Sequence, residues 1–115
     1  MKVSIIGASG NVGSASAFSL AEKEYVDELV LISRESSIEK IEGESLDIYD
    51  AMAAMGTDIS IETSSNMELI QDSDVIVLTA GLARKKKIER MELAKDNAGI
   101  VADYSQEIYK YSPDS

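Results

Sequence analysis

Apolar positions along this chain fall into unbroken runs separated by glycine and charge. Lys2-Val3-Ser4-Ile5-Ile6 is a short β-branched run that stops at Gly7. Leu29-Val30-Leu31-Ile32 is four apolar residues bounded by charge, and Asp74-Val75-Ile76-Val77-Leu78-Thr79 is a third such run. Unbroken rather than alternating apolarity predicts strands covered on both faces, as in a parallel sheet. Ile59-Ser60-Ile61-Glu62-Thr63 alternates instead, which predicts a strand nearer a sheet edge. Between the strands the period changes to that of a helix. A small-residue helix follows the glycines at 7, 10 and 13 and runs to about Lys23. A longer one carries Ile38, Ile41, Ser45, Ile48, Tyr49, Met52 and Met55 at helical spacing, with Ser36 or Ser37 as its cap and Gly56 as its stop. Residues 66–71 suit a short helical turn. A last helix is expected from about Met91 to Tyr109, with Ala94, Asn97, Ala98, Val101, Tyr104, Ser105 and Ile108 along one face.

The order is therefore strand, helix, strand, helix, strand, short turn, strand, helix. Such alternation predicts an α/β domain with helices on both faces of a mainly parallel sheet. Right-handed crossovers then give the strand order 3-2-1-4, a doubly wound sheet, with any ligand at the carboxyl ends of strands 1 and 4. The 115 residues suit one domain spanning 1–115.

Composition narrows the chemistry. Apolar residues at 44% support a packed core. No apolar run reaches the roughly 18 residues that span a bilayer, and the apolar stretch at the N-terminus is too short for a signal peptide, so a cytoplasmic location is the expectation. There is no cysteine, which removes disulfides and thiol catalysis, and no histidine, which removes the commonest neutral-pH general base. No metal site is expected. The net charge of −10 disfavours nucleic acid as a partner. Arg84, Lys85, Lys86, Lys87 and Arg90 gather five of the 11 basic residues into one local positive patch on this acidic background. Such a patch suits small anions over polyanions.

Three groups of residues carry candidate chemistry. Gly7-Ala8-Ser9-Gly10-Asn11-Val12-Gly13 leaves a strand and opens a helix. One glycine permits a tight turn, another a close approach to a pyrophosphate, and the third close packing of helix on sheet, while the first-turn N–H groups face the anion. The alternative is a tight turn and nothing more. Ser33-Arg34 ends the second strand, where an acidic residue would bind an adenosine ribose and repel a 2′-phosphate. A small neutral residue followed by a guanidinium favours NADP(H) over NAD(H), although Glu35 can blunt the preference and a solvated arginine is the simpler alternative. Thr79-Ala80-Gly81 ends the fourth strand with small residues that admit a flat ring or a pyrophosphate. Arg84 and Arg90, six residues apart, suit a substrate with two carboxylates. On composition alone, a solvated, mobile basic loop is the slightly favoured alternative.

Taken together these segments resemble the malate/lactate dehydrogenase family, and its archaeal malate dehydrogenase branch in particular, over about the first 110 residues. The glycine loop, the segment from Gly43 through Leu46-Asp47-Ile48-Tyr49-Asp50-Ala51, and above all Thr79-Ala80-Gly81-x-x-Arg84 followed by Arg90-x-x-Leu93-x-x-x-Asn97-Ala98-x-Ile100 carry the likeness. The resemblance implies a Rossmann-type fold and hydride transfer between NADP or NAD and a 2-oxo/2-hydroxy dicarboxylate, oxaloacetate or malate, as in the tricarboxylic acid cycle. It implies that Arg84 binds the distal carboxylate, that Arg90 polarises the reacting carbonyl, and that Asn97 lies near cofactor or substrate. Lys86-Lys87 stands where the family usually has Pro-Gly, and Ala83 where a proline usually precedes the first arginine.

Family members run about three times this length and add a substrate domain. The catalytic histidine, its orienting aspartate and a further substrate arginine are expected later than residue 115. The chain thus reads as the N-terminal, cofactor-binding portion, inactive alone, of a family that forms homo-oligomers. A non-catalytic nucleotide-binding module and another NADP-dependent reductase of the same fold are the alternatives. With the fourth strand left as an apolar edge, the isolated chain is expected to self-associate.

Overall fold

A computed structural model describes residues 1–81 and 89–115. Among them, four strands form one parallel sheet: β1 (Lys2–Ile6), β2 (Glu28–Ile32), β3 (Ser60–Ser64) and β4 (Val75–Leu78), in the order β3-β2-β1-β4. Ile6 lies level with Ile32 of β2 and with Leu78 of β4, so three strands end together. The helices are α1 (Asn11–Ala21), α2 (Ile38–Met55) and α3 (Arg90–Tyr111), with single 3₁₀ turns at Glu35–Ser37 and Met67–Ile70. This is the doubly wound parallel sheet expected from the strand and helix periods.

The period-2 geometry of the strands divides the core in two. Val3, Ile5, Leu29, Leu31 and Ile61 face one way and pack under Ala17 and Ala21 of α1 and Ile41, Ile48 and Met52 of α2. Ile6, Val30 and Ile32 face the other way and meet Met67 and Ile70, with the half-buried Tyr104, Ile108 and Tyr111 of α3. Both faces of β1 and β2 are therefore covered, which is why β2 is apolar from Leu29 to Ile32 and β1 from Val3 to Ile6 with the single exception of Ser4, whose hydroxyl has a partner. Burying each of these large side chains contributes roughly 1.5–3 kcal/mol.

Several boundaries differ from the sequence expectation, for local reasons. α1 stops at Ala21, and Lys23 lies in the turn beyond it. Gly56 ends α2 in the left-handed conformation (φ +71°), as its position implied. Ser37 occupies the N-cap of α2, yet its side chain makes no capping bond; a 3₁₀ turn, with the Ser37 N–H on the Arg34 carbonyl, leads into the helix instead. On α3 the inward positions are Leu93, Asn97, Ile100, Tyr104, Ile108 and Tyr111, while Ala94, Ala98, Val101 and Ser105 are exposed. Asn97, Tyr104 and Ile108 of the expected stripe thus face inward and its other four residues do not, because the half-buried line also runs through the larger Leu93 and Ile100 one position before Ala94 and Val101.

Edge strand β3 is sealed by a side chain. The Tyr49 hydroxyl of α2 accepts from the Ile61 N–H at 2.8 Å and lies 3.3 Å from the Ile61 carbonyl, so one side chain meets both outward-pointing groups of that residue. On the α3 side a buried chain of serines does similar service. Ser73 Oγ donates to the Ile70 carbonyl at 2.6 Å and so must accept from Ser4 Oγ, also at 2.6 Å, while Ser112 Oγ at the end of α3 donates to the Ser73 carbonyl. No helix among the described residues is long and apolar enough to cross a membrane.

The serine chain makes an asymmetric prediction. Ser73→Ala strands the Ser4 hydroxyl, which is fully buried, and should cost about 1–3 kcal/mol of unfolding free energy. Ser4→Ala leaves the Ser73 hydroxyl its Ile70 acceptor and should cost less. Urea titrations of the two variants giving equal losses, or a larger loss for Ser4→Ala, would contradict this arrangement.

Candidate functional site

The carboxyl ends of β1, β2 and β4 meet the start of α1 at a single point. Gly7 leaves β1 with φ +95°, a conformation that disfavours any side chain. Its N–H and that of Ala8 both donate to the Ile32 carbonyl, at 3.0 and 3.1 Å, which ties the loop to the end of β2. On the other side the Thr79 N–H and hydroxyl donate to the Ile6 carbonyl, at 2.9 and 3.2 Å. The loop then doubles back, with the Gly10 N–H on the Gly7 carbonyl at 3.2 Å, and α1 begins with the Ser14 N–H on the Gly10 carbonyl. The N–H groups of Asn11, Val12 and Gly13 precede that first helical bond, and no side chain caps the helix. No acidic residue lies in this first turn. The end of α1 therefore presents uncompensated positive partial charge.

The glycines differ in what requires them. A Cβ on Gly7 would stand 2.6 Å from the Ala80 nitrogen, and one on Gly13 only 2.2 Å from the Gly7 carbonyl oxygen. Both belong to close packing of backbone on backbone. A Cβ on Gly10 meets nothing nearer than 3.5 Å, so Gly10 faces open space. That space is a cleft of about 760 Å³.

Gly7, Ser9, Gly10, Ser33, Arg34, Thr79, Ala80 and Gly81 line one side of this cleft. All eight were singled out from sequence, and the fold brings them together from three separate stretches of chain. Ser33 is buried, with its hydroxyl on the Arg34 carbonyl, whereas the Arg34 side chain is exposed. Asn11 and Val12 are exposed on the first turn of α1, outside the lining, and Gly13 is buried beneath it. Asn97 of α3 stands against Gly81, its Oδ1 3.2 Å from where a Cβ on that glycine would be. Arg90 is the exposed first residue of α3 and does not line the cleft. Arg84, like Ala83 and Lys86-Lys87, lies outside the described residues.

The opposite wall was missed from sequence. Ile100, Asp103, Tyr104, Gln106, Glu107 and Lys110 of α3 complete the cleft. Of these only Tyr104 belongs to the face expected from sequence, although Ile100, Asp103, Tyr104 and Glu107 recur at helical spacing. Nor was the contact from α2 foreseen, where Lys40 Nζ donates to the Ser9 carbonyl at 2.5 Å. One turn on, Glu44 turns toward Ser14 of α1. Burial pushes its carboxyl above the usual carboxylate range, and the Ser14 hydroxyl and Lys40 pull only part of the way back. Its Oε2 is buried with no hydrogen-bond partner among the described residues. Those residues hold no cluster of acids that would bind a metal ion.

A doubly wound parallel sheet with a glycine turn at its switch point, a helix N-terminus aimed into a cleft and small residues across the way defines a Rossmann-fold dinucleotide-binding domain. Comparison with known proteins then assigns the chain. The family model described as "lactate/malate dehydrogenase, NAD binding domain" matches residues 1–115. An L-2-hydroxycarboxylate dehydrogenase (NAD(P)(+)) of Methanocaldococcus jannaschii is 51% identical over 110 residues, which are 94% of this chain and 35% of the relative. A malate dehydrogenase of Methanothermobacter thermautotrophicus is 48% identical over 115 residues, all of this chain and 35% of the relative. The solved malate dehydrogenase of Archaeoglobus fulgidus in complex with NADH superimposes with a TM-score of 0.90 at 37% identity, over 100% of this chain and 38% of that one. The chain belongs to the lactate/malate dehydrogenase family and matches its NAD-binding domain. It spans about a third of the length of these relatives.

A raised Glu44 carboxyl has a defined sign. The folded state binds that proton more tightly than the unfolded one, so the group's contribution is present below the ordinary glutamate range and lost as pH rises through the folded-state value. Glu44→Gln should therefore raise the melting temperature at pH 7 and have progressively less effect below about pH 4. A gain that is independent of pH would show that the carboxyl is not desolvated as the structure has it.

Proposed function

We propose that this chain is the cofactor-binding part of an oxidoreductase that moves hydride between NADP(H), or less readily NAD(H), and a 2-oxo/2-hydroxy dicarboxylate, oxaloacetate or malate. The observation that carries this reading is the cleft at the end of β1, where Gly10 and the free end of α1 face Ser33 and Arg34 across one opening. The residues present fit a dinucleotide. Gly10 leaves room beside the first-turn N–H groups for a pyrophosphate, and Ala80 and Gly81 line the cleft further along, with Asn97 standing against Gly81. The dinucleotide, when bound, supplies or accepts the hydride.

The roles divide among the cleft residues and the two arginines of the resemblance. The N–H groups of Asn11, Val12 and Gly13 hold the pyrophosphate, with Ser9 and Gly10 forming the floor. Ser33 leaves space for a 2′-phosphate and Arg34 pairs with it. Thr79, Ala80 and Gly81 line the path toward the reacting end, and Asn97 borders it. By the family resemblance, Arg90 stabilises charge on the reacting carbonyl and Arg84 takes the distal carboxylate, which selects malate over lactate. That carbonyl needs a proton as hydride arrives. No histidine in this chain can supply it, and arginine is too basic to shuttle it. The proton donor, the substrate domain and the homo-oligomer belong to a larger cytoplasmic enzyme of which residues 1–115 are the N-terminal portion. The second reading is a nucleotide-binding module without catalysis.

The relatives frame the cofactor question without deciding it. One is described as using NAD(P)(+), and another was solved with NADH.

Titration calorimetry tests the assignment. NADPH should bind the chain more tightly than NADH, and Arg34→Asp should reverse the order by removing a charge-assisted pair worth about 1.5–3 kcal/mol, roughly ten- to a hundredfold. Tighter NADH binding by the unaltered chain would overturn the preference. In an enzyme that includes the substrate domain, oxaloacetate should exceed pyruvate in kcat/KM by about a hundredfold or more, and comparable values would remove the dicarboxylate assignment. The 115-residue chain alone should show no malate oxidation, and measurable turnover would contradict the role given to the missing acid.

A further inference from the structure

The contact between Lys40 and the glycine loop lies outside the nucleotide-loop fingerprint, because it comes from α2. Lys40 is exposed, and its ammonium has a single hydrogen-bond partner among the described residues, the Ser9 carbonyl at 2.5 Å. An ammonium has three donors, so two remain for another group. Ser9 itself lines the cleft together with Ser33 and Arg34. The loop that carries it is held to the end of β2 by the bonds of Gly7 and Ala8 to Ile32, one residue before Ser33. Lys40 does not itself line the cleft, but its ammonium reaches the carbonyl of a residue that does, on the loop tied to the strand end from which Arg34 follows.

Its surroundings keep that charge in place. Glu44 lies one turn further along the same face of α2, with a buried oxygen that lacks a hydrogen-bond partner among the described residues, and its carboxylate and the Lys40 ammonium attract one another. Lys40 is thus exposed but bonded to the Ser9 carbonyl, with the Glu44 carboxylate attracting it from the same helix face. A side chain positioned beforehand loses less entropy when it takes a ligand.

We propose that Lys40 is a specificity residue for a 2′-phosphorylated adenosine, donating to the 2′-phosphate from the glycine-loop side while Arg34 holds it from the end of β2. The proposal rests on the NADP(H) reading of Arg34 and adds a second cation from a different element. Its chemistry is that of a phosphate dianion held by a guanidinium fork and a point charge.

Calorimetric titration of the whole chain with two probes, adenosine 2′,5′-bisphosphate and adenosine 5′-monophosphate, tests it. The unaltered chain should favour the bisphosphate, and Lys40→Gln should weaken bisphosphate binding about tenfold while changing monophosphate binding less than twofold. Lys40→Arg should keep most of the preference, and thermal melts of both variants should show a folded chain. Equal weakening of both probes would make Lys40 a brace for the glycine loop and overturn the proposal. So would a preference that Arg34→Ala abolishes and Lys40→Gln leaves intact, in which case the Arg34 reading survives alone. An unaltered chain that does not distinguish the probes would remove both.

Discussion

Everything in this domain depends on three stretches of backbone approaching where β1 ends. A Cβ on Gly7 would sit 2.6 Å from the Ala80 nitrogen and one on Gly13 2.2 Å from the Gly7 carbonyl oxygen. Without side chains at these points, α1 can start directly against the strand it follows, and β4 can end beside it. The same closeness lets one loop be bonded on both flanks, to Ile32 on one side and through Thr79 on the other. The result is a helix N-terminus aimed along a cleft instead of into the core. The positive end of α1 and the small residues across from it are consequences of that packing, so the requirement that builds the fold also builds the site.

The two faces of the sheet are held differently. Under α1 and α2 the core is fully buried and apolar, with Ile5, Leu29, Leu31, Ile41 and Ile48 all inaccessible. α3 contributes no buried residue of its own and rests on the half-buried Tyr104, Ile108 and Tyr111, with the Ser112 hydroxyl anchoring its end. Yet α3 supplies a whole wall of the cleft. The rigid face therefore positions the glycine loop, and the more lightly packed face borders the ligand. β4 is bonded on one side only among the described residues, with Val75 42% exposed, so that edge is the least protected surface of the sheet.

Much of this was legible in the residues themselves. Unbroken apolar runs located β1, β2 and β4, alternation located β3, and the change of period located the helices, because burial dictates residue type position by position. The glycine spacing located the turn, because its backbone geometry excludes side chains at Gly7 and Gly13. What escaped has a common cause. The face of α3 was legible only in part: Asn97, Tyr104 and Ile108 were placed on it, but Ala94, Ala98 and Val101 look as suitable as Leu93 and Ile100 until the sheet is present. Lys40 reaches Ser9 across 31 positions of chain, and nothing near Lys40 announces that contact. The partnership of Ser4, Ser73 and Ser112 left no mark in the sequence, since a hydroxyl reveals its partner only in three dimensions. Arg84 lies outside the described residues, so the resemblance is what supports its assigned role.

The central claim is that a dinucleotide lies in the cleft at the end of β1, with its pyrophosphate on the first turn of α1. Backbone amide shifts of the isotopically labelled chain, followed as NADPH is added, test this most directly. The account predicts saturable shifts concentrated at residues 7–13, 33–34 and 79–81, with β3 and the far end of α2 unaffected. Shifts confined to other surfaces, or none at millimolar NADPH, would contradict it.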